Sequence, residues 1–278
     1  MSSQAEYWND AGGVSWVDGQ ALLDAQLAQF GALAIEAAAV QPGEVVLDVG
    51  CGCGATTEEL SSLVGTSGRV VGLDVSAPML ARAKERLSGR PVELLLGDAA
   101  TFALPAGSFD VLFSRFGVMF FEAPLAAFTQ LRGALKPGGR VAMVVWQSPS
   151  ANAWATVPIE AVADIVKPPA LGGTGEPGPF SLSDHDAVST MLRAAGYTDV
   201  DLTGHEMDVT VGGGLPLPAA VAFTLDHGPV RRVLASASAS AEVRAAATER
   251  VAAALSPYDG PLGVRMPAAV WVVTARTA

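Results

Sequence analysis

The stretch Val45-Val46-Leu47-Asp48-Val49-Gly50-Cys51-Gly52-Cys53-Gly54-Ala55-Thr56 decides the fold. Its apolar run reads as a buried parallel strand. Glycines then stand at alternate positions 50, 52 and 54, and a helix-compatible segment runs from Thr57 to Val64. Glycine permits a positive φ and lets a ligand approach the backbone closely. A strand, a tight glycine turn and a helix N-terminus in this order is how doubly wound α/β folds build a nucleotide site.

Two cofactor types compete for that turn. Gly50-x-Gly52-x-x-Ala55 satisfies the dinucleotide fingerprint, so NAD is one reading. Asp48 pulls away from it, because a carboxylate two residues before the first glycine suits a cation better than a pyrophosphate. With Gly54 the spelling becomes Asp-x-Gly-x-Gly-x-Gly, which resembles the first motif of the class I S-adenosylmethionine (SAM) methyltransferases. SAM offers a methionine ammonium and carboxylate. The resemblance therefore implies that Asp48, Gly50, Gly52 and Gly54 hold the methionine end.

Outward from the turn, residues 1–40 read as an N-terminal extension. Tyr7, Trp8 and Trp16 punctuate a polar start, and Leu22, Leu23, Leu27, Phe30, Leu33, Ala34 and Ala37 give helical spacing over Ala21 to Ala39. The three aromatics are packing anchors or part of a lid over the ligand. Strands are expected at 45–50, Arg69 to Val75 and Val92 to Leu96, with helices at about 56–65 and 77–88. Asp74, 20 residues after Gly54, stands where an acid can accept both ribose hydroxyls. NAD and SAM share that need. Its structural alternative is a turn or N-cap acid. Met79 and Leu80 follow closely enough to line an adenine ring.

Further motifs extend the resemblance over roughly 45–147. Gly97-Asp98-Ala99 follows the third strand, where the family places an acid on the adenine amino group, which implies Asp98 and Ala99 for the adenine edge. Gly107 to Phe113 resembles the start of the fourth strand. Leu131 to Arg140, with Pro137-Gly138-Gly139, resembles the turn before the fifth, expected at Val141 to Trp146. Ser114 to Phe121 is similar to the ubiquinone-type, small-molecule branch, and this adds Ser114 and Phe116 to the cofactor set. Enzymes that methylate base amines carry an Asn/Asp-Pro-Pro-aromatic motif at this point. Ser114-Arg115-Phe116-Gly117 departs from it.

Past Trp146 the resemblance weakens. A helix is expected from Gln147 to Ala170, then a Gly/Pro loop over Gly172 to Gly178. Ser183 and Asp186 have capping-box spacing before a helix that stops at Gly196. Strands at Asp199 to Val211 and Gly263 to Thr274 match the family's closing antiparallel hairpin. The expected fold is thus a Rossmann-like doubly wound α/β sheet of seven strands, mostly parallel with an antiparallel last strand. Residues 1–40 form a helical extension or lid, residues 41–278 the SAM-binding domain, and about 212–258 a helical cap.

Composition narrows the function. The chain has 278 residues and a formal net charge of −11, with a pI near 4.6. Such a chain repels nucleic-acid phosphates, and Arg231-Arg232 is its one basic pair of note. Half the residues are hydrophobic, yet no apolar run reaches the 18 or so residues of a membrane helix. Met1 to Asp10 lacks the Lys or Arg of a secretory signal, so a soluble, cytoplasmic protein is expected. Cys51 and Cys53, the chain's two cysteines, fill space in the turn. They are too close for a disulfide and too few for a metal site.

Methyl transfer from SAM is an in-line displacement that needs placement above all, and a base only when the nucleophile arrives protonated. His227, in the expected cap, is the best-placed base of the three histidines. Arg115 stands at the strand-end face, as a carboxylate binder or one half of a salt bridge. The apolar cap residues Leu215, Leu217, Val221, Phe223 and Leu225 suit a hydrophobic or aromatic acceptor. Rival readings are an NAD(P)-dependent oxidoreductase, a non-catalytic protein on the SAM fold, and a cyclase-type reaction in the same pocket. The absence of any Tyr-x-x-x-Lys pair lowers the first.

Overall fold

A computed structural model describes residues 4–167, 173 and 175–278. The chain begins with three helices, α1 (Gln4–Asn9), α2 (Ala11–Asp18) and α3 (Gln20–Ala38). An alternating core follows: β1 (Val45–Val49), α4 (Ala55–Val64), β2 (Arg69–Asp74), α5 (Ala77–Arg86), β3 (Val92–Leu96), β4 (Phe109–Arg115), α6 (Pro124–Ala134) and β5 (Leu135–Trp146). The C-terminal part adds α7 (Ala153–Val162), α8 (His185–Ala194), β6 (Thr198–Thr210), α9 (Leu217–Asp226), α10 (Pro229–Ser236), α11 (Ala241–Leu255) and β7 (Arg265–Arg276).

The seven strands form one sheet in the order β3-β2-β1-β4-β5-β7-β6. β1 pairs in parallel with both β2 and β4, with Val49 opposite Leu73 and Asp48 opposite Phe113. The chain thus winds outward from β1 in both directions. Such a switch point opens a crevice at the strands' carboxyl ends. β7 runs antiparallel to both β5 and β6, so the expected closing hairpin is present.

The central strands are buried on both faces, as β-rich apolar runs require. Phe109, Phe113, Leu112, Met143 and Leu47 lie within 1% of full burial. Burying each such side chain contributes on the order of 1.5–3 kcal/mol. α3 covers this sheet with Leu23, Gln26, Leu27, Phe30, Gly31, Ala34 and Ala38, an i, i+3, i+4, i+7 stripe. It ends in a left-handed Ala39. There Arg140 donates to the carbonyls of Ala38 and Ala39 and pairs with Glu44 at 2.6 Å.

Several expectations need correction. The extension expected over 1–40 carries two helices ahead of the one delimited from Ala21: α1, and α2, in which Gly12 and Gly13 are buried against neighbours. The strand expected at Val141 begins at Leu135. Register jumps from Leu135 opposite Phe109 to Arg140 opposite Val111, so Lys136 to Gly139 bulges within the strand instead of turning ahead of it. Lys136 seals the bulge by donating to both carboxylate oxygens of Asp110, at 2.8 and 2.7 Å. The helix expected from Gln147 to Ala170 contracts to α7, with a short 3₁₀ turn at Pro149–Ala151 before it. Its last expected residues, 168–170, and positions 172 and 174 of the expected loop lie outside the described residues. The N-cap of α8 is Asp184, which accepts from the Ala187 amide at 2.7 Å, and not Ser183. A cap of this kind contributes about 1 kcal/mol.

Candidate functional site

Gly50, Gly52 and Gly54 all have positive φ. At Gly50 (φ 70°) a Cβ would lie 2.6 Å from the Cα of Gly117, in the loop after β4. Backbone cannot yield there, so glycine is the one residue that lets the loops after β1 and β4 touch. At Gly52 (φ 54°) a Cβ would meet only the flexible end of Met79. Met79 is buried and lies over the turn. Gly54 precedes the first residue of α4 and packs against α5. Cys51 and Cys53 are buried and free. Burial pushes the Cys51 thiol well up and that of Cys53 to about 12, so both are unreactive space fillers.

Asp48 is completely buried. One carboxylate oxygen, Oδ2, accepts hydrogen bonds from the hydroxyls of Thr56 at 2.9 Å and Thr57 at 2.7 Å. The other, Oδ1, is buried with no hydrogen-bond partner. Burial raises the Asp48 pKa to about 6, against the lowering pull of the two hydroxyls and the Arg115 charge; the Asp74 charge adds to the rise. A buried carboxylate oxygen without a donor is costly.

Asp74 ends β2 and is 8% exposed. Its Oδ2 accepts the Gly52 amide at 2.7 Å and its Oδ1 the Ser76 amide at 2.8 Å. The acid thereby ties the glycine turn to the turn after β2. Burial pushes its pKa up, while the Ser76 and Gly52 amides pull it down. Asp98 is exposed and accepts the Ala100 amide at 2.9 Å. The adjoining Ala99 is buried, and the Gly97 amide donates to the Asp74 carbonyl at 2.9 Å. Asp48, Asp74 and the Asp98–Ala99 pair thus follow one another along the carboxyl ends of β1, β2 and β3.

The remaining residues sit elsewhere. The Ser114 hydroxyl is buried and donates to the Val49 carbonyl at 2.8 Å, locking β4 to β1. Phe116 stacks on Trp146 with ring centroids 4.3 Å apart, inside an aromatic cluster that includes Phe30. Arg115 faces Asp24 of α3 at 3.4 Å, and Asp24 also pairs with Arg86 at 2.6 Å. His227 follows α9, and its Nδ1 lies 3.2 Å from the Ser15 hydroxyl of α2. Burial lowers its pKa, so the ring is neutral at pH 7.

Sequence reasoning passed over the residues that bind these parts together. Thr56 and Thr57 stand eight and nine positions after Asp48. A pair of hydroxyls in the first helical turn after an acid-bearing strand was a usable signal. No local signal marked Asn9, whose side chain donates to the Val75 carbonyl at 2.8 Å and accepts the Ala77 amide at 2.9 Å. Beside it the Ser76 hydroxyl donates to the Trp8 carbonyl at 2.6 Å. α1 and α2 thus form a strap over the turn after β2. The strap also reaches the cap: Ser15 donates to the Asp226 carbonyl, Arg231 to the Ala11 carbonyl, and Arg232 lies 5.1 Å over the Tyr7 ring. Trp8 meets Tyr7, Trp16 and Phe120 edge to face at 5.1–5.9 Å. A groove of about 680 Å³ on α6 and α8 is apolar and carries none of these groups.

Residues 46–139 match the sequence profile of the family described as a methyltransferase domain. The nocamycin O-methyltransferase of Saccharothrix syringae is 37% identical over 172 residues, covering 58% of this chain and 61% of that protein. The demethylmenaquinone methyltransferase of Lactococcus lactis is 38% identical over 111 residues, 39% of this chain and 44% of that one. The chain therefore spans about half the length of these relatives. Among solved structures, the 4+2 cyclase SpnF superposes with a TM-score of 0.52 at 20% identity, over 90% of this chain and 80% of its own. That likeness concerns the fold alone. By the sequence profile residues 46–139 form a methyltransferase domain, set in a Rossmann-like sheet with the strand order given above. Among the described residues no helix is long and apolar enough to cross a membrane, and no cluster of His, Cys, Asp or Glu could hold a metal ion.

Proposed function

We propose that the chain transfers a methyl group from SAM to a small hydrophobic or aromatic metabolite. The observation that carries this reading is the Asp48 carboxylate, fully buried with one oxygen lacking any donor. Such a site fits the ammonium of a methionine moiety. It opposes a pyrophosphate, whose charge would meet another buried negative charge. This favours SAM over NAD(P) on a turn that the two cofactors share.

In this reading Asp48, Gly50, Gly52 and Gly54 hold the methionine end, Asp74 takes the ribose, and Met79, Asp98 and Ala99 take the adenine. Ser114 acts through the β1–β4 lock, and Phe116 through the aromatic cluster. SAM, when bound, supplies an activated methyl group. The protein's own part is to place the acceptor in line and to exclude water. The apolar cap residues Val221, Phe223 and Leu225, buried on α9, support an apolar acceptor. His227, neutral and held by Ser15, is the group in the cap that can take a proton from an acceptor hydroxyl. Arg115, engaged with Asp24, orients charge at the methionine end. The strap of α1 and α2 is the lid. The protein works in the cytoplasm, without nucleic-acid partners, in keeping with its charge of −11.

Thermal shift with S-adenosylhomocysteine (SAH) and with NAD tests the cofactor. The expected result is a rise in Tm with SAH and none with NAD, and the reverse overturns the reading. Mass spectrometry of an acceptor panel then separates methylation, which adds one CH₂, from a cyclase reaction, which leaves the mass unchanged.

A further inference from the structure

The two oxygens of Asp48 are treated differently by the fold. Oδ2 takes both hydroxyls of the Thr56–Thr57 pair, and Oδ1 takes nothing although it is fully buried. A side chain held by two donors on one oxygen is fixed in orientation while its second oxygen stays unsatisfied. The charged groups acting on it are few. Arg115 at the end of β4 draws it towards the ionised form, and Asp74 at the end of β2 opposes that. Asp24 of α3 lies against Arg115 and offsets its charge. Cys51 in the turn stays a neutral thiol. No cation among these makes a direct ion pair with Asp48 in the described residues.

We propose that Thr56 and Thr57 are positioning residues that hold Asp48 by one oxygen so that the other receives the ammonium of the cofactor, and that binding the cofactor expels the proton of Asp48 to solvent. This rests on the SAM reading above. The balance is simple. In the free protein the carboxyl carries a proton in acid solution. In the complex the carboxylate meets an ammonium that already bears its own protons, and one proton leaves for each carboxyl that was protonated. No bond to carbon or sulfur changes. The threonines tune the exchange, since each hydroxyl donated to Oδ2 favours the ionised form.

The test is titration calorimetry of the full chain with SAH, in pairs of buffers that differ in ionisation enthalpy. A pH of 5.5 lies above the pI of 4.6 and so keeps the protein charged. With the folded pKa at about 6, binding releases about three-quarters of a proton at pH 5.5 and about a tenth at pH 7.0, and affinity is about fourfold weaker at the lower pH. Thr57→Val, which keeps the β-branched shape, removes one donor and increases the release at pH 7.0. Asp48→Asn abolishes the release, and Asp74→Asn, which removes a negative charge that raises the Asp48 pKa, diminishes it. A purely structural role for the threonines leaves the count at pH 7.0 unchanged in Thr57→Val. Equal heats in both buffers at pH 5.5 overturn the proposal while SAH binding keeps the cofactor reading. Release that persists in Asp48→Asn also overturns it. Failure of SAH to bind at either pH overturns both.

Discussion

The floor of the crevice and its roof are built in opposite ways. The floor, from Asp48 to Thr57, spans ten consecutive residues; the bonds of Asp48 with Thr56 and Thr57 lie within it, one more runs from Gly52 to Asp74, and all three are buried. The roof joins α1 and α2 to residues 66 to 220 positions away through exposed hydrogen bonds from Asn9, Ser15 and Arg231. Buried, contiguous contacts cost little loop entropy and resist water. Exposed contacts between remote segments are each worth only about 1 kcal/mol and compete with solvent. In the SAM reading proposed above, a floor of the first kind fixes cofactor geometry. A roof of the second kind can open at low cost.

The largest expected effect is on the floor. Gly50→Ala meets both the positive φ and the backbone of Gly117, and should cost about 2–4 kcal/mol and more than about 100-fold in SAH affinity. Gly65 has a similar φ of 64°, and a Cβ there would have no atom within 4 Å. With ψ at −166° Gly65 also sits where glycine alone is at ease, so Gly65→Ala should cost about 1–3 kcal/mol of backbone strain with no clash added. Urea denaturation of the pair measures the difference, and equal losses would show that close approach contributes nothing.

Asp48→Asn separates stability from binding. The folded pKa, about 6, lies above the reference value of 3.8. The folded state then holds more protons than the unfolded state between those values, so this group's contribution to stability falls as pH rises through that window. Above pH 6 the deficit is full, about 3 kcal/mol by the size of the shift. The amide should recover much of it: the variant should be more stable than wild type at pH 8, with the gain shrinking towards pH 4, while SAH binding weakens. Urea midpoints across pH 5–8 check this. A variant less stable than wild type at pH 8 would mean that the unpaired oxygen carries no penalty.

The smallest effect belongs to the roof. Asn9→Ala should remove about 0.5–1.5 kcal/mol of local stability. Hydrogen exchange should then quicken roughly 3–10-fold over residues 4–18 and stay unchanged over residues 45–57. Matched acceleration in both segments would make floor and roof one cooperative unit.

Legibility follows the same division. The strand, turn and helix at 45–64 could be read because each depends on neighbours a few residues away, and the placing of Asp48, Asp74 and Asp98 at strand ends followed from the strands that carry them. The alternation of strands and helices, with the resemblance, gave the doubly wound class; the strand order came from the structure. The bulge at Lys136–Gly139 was harder, since Pro137 and the glycines signal a break without saying whether it falls before or inside a strand. Residues 1–40 were expected to be helical, but α1 and α2 could not be delimited before Ala21 because Gly12-Gly13 is costly in an isolated helix. Burial against Tyr7, the Trp8 carbonyl and Ser76 makes glycine the residue that fits. Ser114 and Phe116 lie beside the crevice in sequence, yet their side chains are engaged by the Val49 carbonyl and by Trp146.

The sequence by itself determined the glycine turn, the acids along the strand ends and the class of domain, because strand period, turn chemistry and charge are local properties. The tertiary structure alone decided that Asp48 has one satisfied oxygen and one bare one, that Asn9 closes over the turn after β2, and that His227 leans on Ser15. Those facts depend on burial and on contacts between distant segments, which no single stretch of chain encodes.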